Sequence, residues 1–216
     1  MKGVGLLDRF KRMLAGKYIF HLHTDYTDGY SSIHDYLEYA SNHRLESVVF
    51  TEHVHLDLAY DFNAFCRELD KKKKMFPELD VWLGIEAKIL ANGKLDVPPE
   101  VRERVDLLCI ACHSFPPDAD LYFQVMTRVF QNEWTDKVRI WVHPGLLFLR
   151  HPQLQMVENW QQKMADLVGL ANRLGIFGEI NLKYDLPTAL FPWSWFELTL
   201  TGLDAHSTAD LDQRLS

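Results

Sequence analysis

Short apolar runs alternate along the chain with longer stretches whose apolar residues recur at helical spacing. Seven runs rich in β-branched and aromatic residues predict strands at residues 18–24, 47–53, 81–89, 106–114, 138–143, 176–182 and 198–206. The stretches that predict helices lie between them, at residues 32–43, 61–76, 118–134 and 153–174. Alternation of this kind is typical of parallel strands joined by right-handed crossover helices.

This pattern predicts an α/β fold. Seven strand–helix units in 216 residues favour a closed or nearly closed (β/α) barrel with short helices. A doubly wound open sheet is the alternative, but no Gly-rich phosphate loop follows the first strand. No linker rich in Pro, Gly or Ser interrupts the pattern, so we expect one domain over residues 1–216, with residues 1–17 as an N-terminal helical extension.

Charge and length restrict the partners and the compartment. The formal net charge of −7 argues against non-specific binding to nucleic acid. The lysine run 71–74 is either a nucleic-acid patch or, as we favour, the solvated end of a helix. No apolar run reaches the roughly 18 residues that span a bilayer, and residues 1–17 lack the apolar core of a signal peptide. We therefore expect a cytoplasmic protein without a membrane partner.

The cysteines suggest a reducing compartment. The chain has three, an odd number that does not favour a disulfide framework. Residues 109–113 match the C-x-x-C-H pattern of covalent haem attachment, but they lie in an apolar run and no export signal is present. We interpret Cys109 and Cys112 as small core residues beside a functional histidine.

Every predicted strand carries a possible metal ligand at or near its C-terminal end. Parallel barrels assemble their active sites at this rim, because the strand ends converge there. Histidines two apart on a strand, such as His21 and His23, point to the same face. Burying so many polar groups needs compensation, which metal ions supply. The strand-end residues are His21, His23, His53, Glu86, His113, His143, Glu179, Asp204 and His206.

The chemistry of these donors predicts the cofactor and the type of reaction. They offer only nitrogen and oxygen, which fits Zn, Mn or Fe. They are too many for one tetrahedral ion, so we expect two or three divalent metal ions at the rim, with Glu86 able to bridge two of them. Such ions generate a metal-bound hydroxide at neutral pH. We expect this hydroxide to be the nucleophile and assign no separate catalytic side chain.

Short motifs containing these residues follow one another in a fixed order. They are a His-x-His pair and an Asp-Gly turn in residues 21–29, Thr-Glu-His at 51–53, Gly-x-Glu at 84–86, the histidines 113 and 143, and Asp-Ala-His at 204–206. Each tripeptide is a weak signal, but the ordered set is a strong one. Over residues 18–206 it resembles the PHP (polymerase and histidinol phosphatase) superfamily of metal-dependent phosphoesterases.

This resemblance implies a distorted seven-stranded (β/α) barrel with a trinuclear metal centre at its C-terminal rim. It implies a first ion held by His21, His23, Glu86 and Asp204, a second that shares Glu86 and takes His113 and His143, and a third held by Asp28, His53 and His206. The implied enzyme is a hydrolase acting on phosphoric ester bonds. We expect its partner to be a small phosphorylated substrate, a phosphomonoester as in histidinol phosphatases. The oligomeric state is not predicted.

Further residues are candidates for substrate contact or support. A phosphate group would need a cation, and Lys183 is the first candidate and Arg150 the second; for both, a solvated surface charge is the alternative. Glu179 and Asn181 are expected to orient ligands or water. His55 either contacts substrate or is an ordinary loop residue. No role is assigned to the remaining histidines, His34, His43 and His151.

Two other functions remain open at this stage. A phosphodiesterase or exonuclease acting on nucleic acid or nucleotides would be favoured if Trp193, Trp195 and Phe196 stacked bases, whereas these residues form a lid or a core cluster in our preferred interpretation. A non-catalytic metal-binding module is the second alternative. The segment 182–187, after Glu179 and Asn181, also differs from the one usual in histidinol phosphatases, which leaves the substrate open.

Overall fold

The computed structural model describes residues 5–215 and contains one sheet of seven parallel strands. The strands pair in chain order from β1 to β7, as the alternation predicts. Their bounds are β1 Tyr18–Leu22, β2 Ser47–Val54, β3 Asp80–Lys88, β4 Leu107–Ala111, β5 Val138–Trp141, β6 Phe177–Asn181 and β7 Thr199–Gly202.

Helices connect these strands on the outside of the sheet. The α-helices are α1 Leu6–Met13, α2 Ile33–Asn42, α3 Phe62–Lys73, α4 Ala119–Asn132, α5 Leu146–Arg150, α6 Trp160–Arg173 and α7 Thr208–Leu215, and three short 3-10 helices cover Pro99–Arg104, Pro152–Met156 and Trp193–Trp195. Polar caps define several starts: Ser32 and Asp35 form a reciprocal capping box on α2. Among the described residues, no helix is both long enough and apolar enough to cross a membrane.

The sheet curls into a nearly closed barrel. The segment after β7 returns to β1, where the Leu203 amide donates to the Phe20 carbonyl at 3.0 Å and the Ala205 amide donates to the His21 carbonyl at 2.9 Å. Leu22 and Ala205 also form an isolated parallel bridge. The predicted distorted seven-stranded (β/α) barrel is therefore confirmed.

Two apolar clusters form the core of the barrel. The larger cluster lies between the sheet and the helices, and the smaller one fills the interior with one to three residues from each strand. Helix α1 closes the end where the strands begin: the Phe10 ring packs edge-on against Trp82 at 5.4 Å and against Phe177 at 5.3 Å between ring centroids. Since that end is sealed by apolar packing, the carboxyl ends of the strands are left for polar chemistry.

Some element bounds differ from the sequence-based expectation. The predicted helix 153–174 begins as a 3-10 turn, and α6 starts only at Trp160 because Asn159 adopts a left-handed φ of 59°. The predicted strand 198–206 ends at Gly202. Helix α1 occupies part of the predicted extension 1–17, of which residues 1–4 lie outside the described residues.

Arg139 ties the barrel to two outer helices. Its buried guanidinium donates to the Phe130 carbonyl at 2.6 Å and to the Leu174 carbonyl at 3.1 Å, at the C-terminal ends of α4 and α6. Replacing it by Met leaves these carbonyls without a donor, so we expect the free energy of unfolding to fall by about 2–4 kcal/mol. The exposed Arg173→Met control should cost less than about 1 kcal/mol. Equal urea denaturation midpoints for the two variants would contradict this role.

Candidate metal centre

The structure brings all nine predicted metal ligands together at the carboxyl end of the barrel. His21, His53 and Glu86 lie within strands β1, β2 and β3. Asp28 lies in the turn after β1, as its motif implies. Five others follow strand ends, although the apolar runs predicted them within strands: His23, His113, His143, Asp204 and His206. The chain leaves the extended conformation there, since His143 and Asp204 both have a left-handed φ of 47°. These strands thus end just before the polar residues that follow them at the rim of the barrel.

Glu86 is the centre of this cluster. Its carboxylate is 1% exposed and has five imidazole nitrogens within 3.4 Å. One oxygen, Oε1, faces His113 at 3.1 Å and His143 at 3.4 Å. The other, Oε2, faces His21 and His23 at 3.4 Å and His53 at 3.2 Å. The two oxygens therefore serve two different groups of histidines.

Two aspartates complete the cluster on its open side. Asp28 Oδ2 lies 3.3 Å from His53 Nε2 and 3.3 Å from His206 Nε2. Asp204 Oδ2 lies 3.2 Å from His143 Nε2, and its Oδ1 lies 3.9 Å from His23 Nε2. Asp28 is about half exposed, whereas Asp204 is buried. The Asp28 group thus lies nearest to solvent.

These separations suit donors that share an ion. Two atoms each about 2.1 Å from one metal lie roughly 3.0–3.4 Å apart at octahedral or tetrahedral angles. Hydrogen bonding does not explain the arrangement: in the part of the chain that the structure describes, eight buried side-chain nitrogen and oxygen atoms have no hydrogen-bond partner, and six belong to His21, His23, Glu86 and His143. Buried polar atoms are normally paired. The residues present therefore fit a cluster of divalent cations.

The surroundings of His21 and His23 shift the pKa values of the two imidazoles in opposite directions. Burial acts to lower the pKa of both. For His21 the charges of Glu179 and Glu86 outweigh burial and raise the pKa well above its usual value. For His23 the charge of His53 adds to burial and the pKa falls well below its usual value. A neutral imidazole such as His23 has a free nitrogen lone pair for a cation.

Glu179 holds two of the ligand-bearing segments. Its carboxylate is fully buried and accepts hydrogen bonds from His21 Nδ1 and, at 2.7 Å, from the backbone amide of His143. Asn181 Nδ2 donates to the same carboxylate at 3.1 Å. Because His21 Nδ1 donates its hydrogen bond to the Glu179 carboxylate, the other ring nitrogen, Nε2, faces Glu86. Glu179 and Asn181 thus lie in contact with two segments that carry candidate ligands.

Glu52 is a residue of the site that sequence reasoning missed. It is buried beside His53, and it accepts hydrogen bonds from the Thr24 amide at 2.9 Å and from Thr27 Oγ1 at 2.5 Å. Burial raises its pKa to about 7. These bonds fix the turn that carries Asp28. The available signal was its place in the Thr-Glu-His tripeptide, where only the histidine was given a role.

The two predicted cations lie on one side of the cluster. Lys183 Nζ contacts Asp204 Oδ1 at 3.0 Å, and the Arg150 guanidinium lies 6.0 Å from the Tyr184 ring centroid. Tyr184 in turn packs edge-on against His143 at 5.8 Å. Lys183 is thus within reach of the centre, whereas Arg150 approaches it through Tyr184.

The tryptophan segment contacts outer helices and core residues. Trp195 stacks on Phe191 with ring centroids 5.4 Å apart, and its carbonyl accepts a hydrogen bond from Asn172 of α6. Phe196 is buried against Trp141. Phe196 is thus a core residue, whereas Trp193 and Trp195 are exposed, so the predicted core cluster is found for Phe196 alone. Cys109, in the haem-like motif, is likewise buried, and its side chain belongs to the interior cluster.

The remaining histidines are not among the nine, and His55 comes near them, with its ring centroid 6.4 Å from that of His53. His55 is about half exposed and lies 3.5 Å from Asp96, on the loop after β2. His43 bonds to the carbonyl of Tyr39 and stacks on that ring, and His34 lies against Phe76. The ring of His34 is on α2, outside the group around Glu86.

Comparison with known proteins agrees with this fold. The family model described as "PHP domain" matches residues 20–206. A histidinol phosphate phosphatase from Lactococcus lactis subsp. lactis Il1403, solved with zinc, L-histidinol and phosphate, superposes with a TM-score of 0.65 at 14% identity, covering 93% of this chain and 92% of that one. No curated protein matches the chain.

A second solved structure is more distant. It is a two-domain protein from Bacteroides vulgatus ATCC 8482 that contains a predicted PHP-like metal-dependent phosphoesterase, with a TM-score of 0.46 and 15% identity over 91% of this chain and 54% of that one. The fold and the family model together define a metal-dependent hydrolase of phosphoric ester bonds. The chain belongs to the PHP domain family.

Proposed function

We propose that the protein is a metal-dependent phosphomonoesterase that hydrolyses a small phosphorylated compound, in the manner of a histidinol phosphatase. The observation that carries the proposal is the group of six buried, unpartnered nitrogen and oxygen atoms on His21, His23, Glu86 and His143. Protein interiors rarely leave such atoms unpaired, and divalent cations would satisfy all of them except the ring nitrogen of His23 that carries its proton.

We further propose which residues hold each ion. The first ion would take His21, His23, Glu86 and Asp204; the second would share Glu86 and take His113 and His143; the third would take Asp28, His53 and His206. The division of the two Glu86 oxygens between two histidine groups supports the bridging role. The placement of Asp28 3.3 Å from both His53 and His206 supports the third group. We propose that the bound ions are zinc, manganese or iron, because the candidate ligands offer only nitrogen and oxygen donors.

The chain's own residues then have defined tasks. When bound, the ions supply an activated water and positive charge for in-line displacement at phosphorus. Lys183, which contacts Asp204, would donate to a phosphate oxygen. Arg150, held near Tyr184, adds positive charge on the same side. Glu179 and Glu52 keep the ligand-bearing segments in place through buried hydrogen bonds.

The alternative functions have less support. Base stacking by Trp193, Trp195 and Phe196 would favour an exonuclease, but the contacts of Trp195 and Phe196 are with Phe191, Trp141 and α6. A non-catalytic module would be expected to lack some ligands, whereas all nine converge here.

Phosphate release is the test of this proposal. Protein loaded with Mn²⁺ should hydrolyse at least one compound in a panel of phosphomonoesters that includes histidinol phosphate, the compound suggested by the Lactococcus structure, and nucleotides. Chelation should abolish turnover, and returning the ion should restore it. Metal removal should also lower the melting temperature, because ions that bind only the native state stabilise it.

The same assay separates the competing functions. Bis(4-nitrophenyl) phosphate and a single-stranded oligonucleotide serve as diester substrates. Turnover of these diesters with no release of phosphate from any monoester would overturn the monoesterase proposal in favour of the exonuclease. If fully metal-loaded protein hydrolysed neither the monoesters nor the diesters, the non-catalytic module would be favoured.

A further inference from the structure

Asp204 and His206, two of the proposed ligands, lie on a short segment between β7 and α7. Asp204 has a left-handed φ of 47°, which is strained for a residue other than glycine and persists only where the surrounding structure compensates it. The pairing of β7 with β6 ends at Gly202, so the carbonyls that follow need donors from elsewhere. Side chains of α2 and α7 contact this segment by hydrogen bonds.

Arg214, near the end of α7, binds two consecutive carbonyls of the segment. Its guanidinium donates from Nη1 to the carbonyl of Leu203 and, at 2.9 Å, to the carbonyl of Asp204. The Arg214 side chain is 17% exposed, and its Nη2 lies 3.7 Å from Asp210. The two carbonyls belong to the peptide groups on either side of the Asp204 Cα. Arg214 therefore restrains the backbone dihedrals that direct the Asp204 carboxylate.

The same Asp204 carbonyl orients His206. The Nδ1 atom of His206 lies 3.1 Å from this carbonyl oxygen. Because a carbonyl only accepts hydrogen bonds, Nδ1 carries the hydrogen and Nε2 keeps a free lone pair. Nε2 faces Asp28 Oδ2 at 3.3 Å, in the group proposed for the third ion. Since Arg214 and His206 share one acceptor, a shift of that carbonyl would displace both the Asp204 carboxylate and the His206 ring.

Two further side chains bind the next peptide groups of the segment. Asp210 of α7 accepts a hydrogen bond from the backbone amide of His206 at 2.8 Å. The hydroxyl of Tyr36, which is fully buried on α2, lies 3.1 Å from the carbonyl of Ala205 and 3.1 Å from that of His23. Successive peptide groups of the segment are thus held by side chains, and Arg214 holds the two that flank the strained residue.

We propose that Arg214 is a positioning residue of the metal centre, which sets the backbone from which Asp204 and His206 reach the first and third ions. The inference rests on the metal-dependent function and the ligand assignment proposed above. The second ion takes no ligand from this segment. Loss of Arg214 should therefore affect two of the three ions and spare the other.

Arg214→Met tests this role. Methionine keeps a long side chain but leaves both carbonyls without their donor. Calorimetric titration of metal-free protein with Mn²⁺ is expected to show two ions bound roughly 10–100-fold more weakly than in the wild type and one bound with wild-type affinity. A change confined to folding stability would not single out two of the ions. If Arg214→Met does not fold, Arg214→Gln, whose amide is too short to span both carbonyls, takes its place with the same expectation.

Two other variants separate the carbonyl bonds from the docking of α7. Tyr39→Phe removes the hydroxyl that donates to Asp212 at 2.9 Å, a contact between α2 and α7 that does not involve the ligand segment. It should leave every affinity at the wild-type value. Arg214→Lys keeps the charge and should recover part of the loss, because an ammonium can donate to a carbonyl but lacks the planar fork.

The outcomes distinguish the positioning role from the function on which it rests. Wild-type affinities in the Arg214 variant, an equal loss at every ion, or the same selective loss in Tyr39→Phe would overturn the positioning role and leave the proposed function intact. Selective weakening, with no phosphate released from any monoester by the metal-saturated wild type, would support the positioning role and overturn the phosphomonoesterase. A wild-type protein that binds no Mn²⁺ would overturn both.

Discussion

Replacing Glu86 by Gln is expected to lower kcat by about a thousandfold or more, beyond the roughly 10–100-fold typical of residues that only orient a ligand. The carboxylate is 1% exposed, and its two oxygens face five imidazole nitrogens. An amide keeps the volume, but it offers one acceptor oxygen and turns two N–H donors toward the other histidines. It could therefore not bridge two ions in the way proposed for the Glu86 carboxylate.

Metal content distinguishes this role from a general loss of structure. At saturating Mn²⁺, the Glu86→Gln variant should hold at least one ion fewer per chain than the wild type by elemental analysis, with an unchanged far-ultraviolet circular dichroism spectrum. Glu100→Gln, an exposed glutamate on the 3-10 helix Pro99–Arg104, is the matched control and should change neither quantity. Full metal content and wild-type turnover in Glu86→Gln would show that Glu86 is not a bridging ligand.

The sequence predicted the barrel and most of the candidate ligands because both follow from local patterns, whereas Asp28 was predicted only from the resemblance to the PHP family. Apolar runs at strand length, each followed by a helix, leave few topologies open. His53 and Glu86 lie on the adjacent strands β2 and β3, and the strand register pairs them side by side near the rim. In a parallel sheet, paired positions at strand ends converge without any knowledge of side-chain packing.

The parts that the sequence did not predict depend on tertiary contacts. Asp204 and His143 leave the extended conformation through a left-handed φ, which non-glycine residues adopt only where surrounding structure compensates the strain. Glu52 gains its task from Thr24 and Thr27, about 25 residues earlier. A cavity of about 290 Å³ lined by Tyr26 and Tyr60 likewise forms between two loops. The periodicity of a single segment contains no information on contacts between segments that are distant in the sequence.

Replacing Glu179 by Gln is expected to weaken metal binding by roughly 10–100-fold while leaving the number of ions at saturation unchanged. Donors from His21, His143 and Asn181 converge on its two oxygens. An amide cannot accept at both ends, so one of these donors would face an N–H group and the segment that carries it would shift. Calorimetric titration with Mn²⁺ measures the affinity and the stoichiometry together.

The stoichiometry matters because Glu179 lies close enough to His21 and His143 to share an ion with them. If Glu179 were itself a ligand, its Gln variant would lose an ion even at saturating metal, and the positioning role would be wrong. The expected signature is a lower affinity with the full ion count.

Gly202 provides an independent way to displace the same carboxylate. A Cβ at this position would overlap Glu179 Oε1, so Gly202→Ala should reproduce the loss of affinity with Glu179 itself unchanged. Gly169→Ala is the matched control: it lies in α6, its nearest neighbour is the Arg173 guanidinium at 3.5 Å, and removing a helical glycine should stabilise the fold by about 0.5–1 kcal/mol. Wild-type affinity in Gly202→Ala would contradict the proposed link, because the Glu179 carboxylate cannot keep its present position beside an alanine.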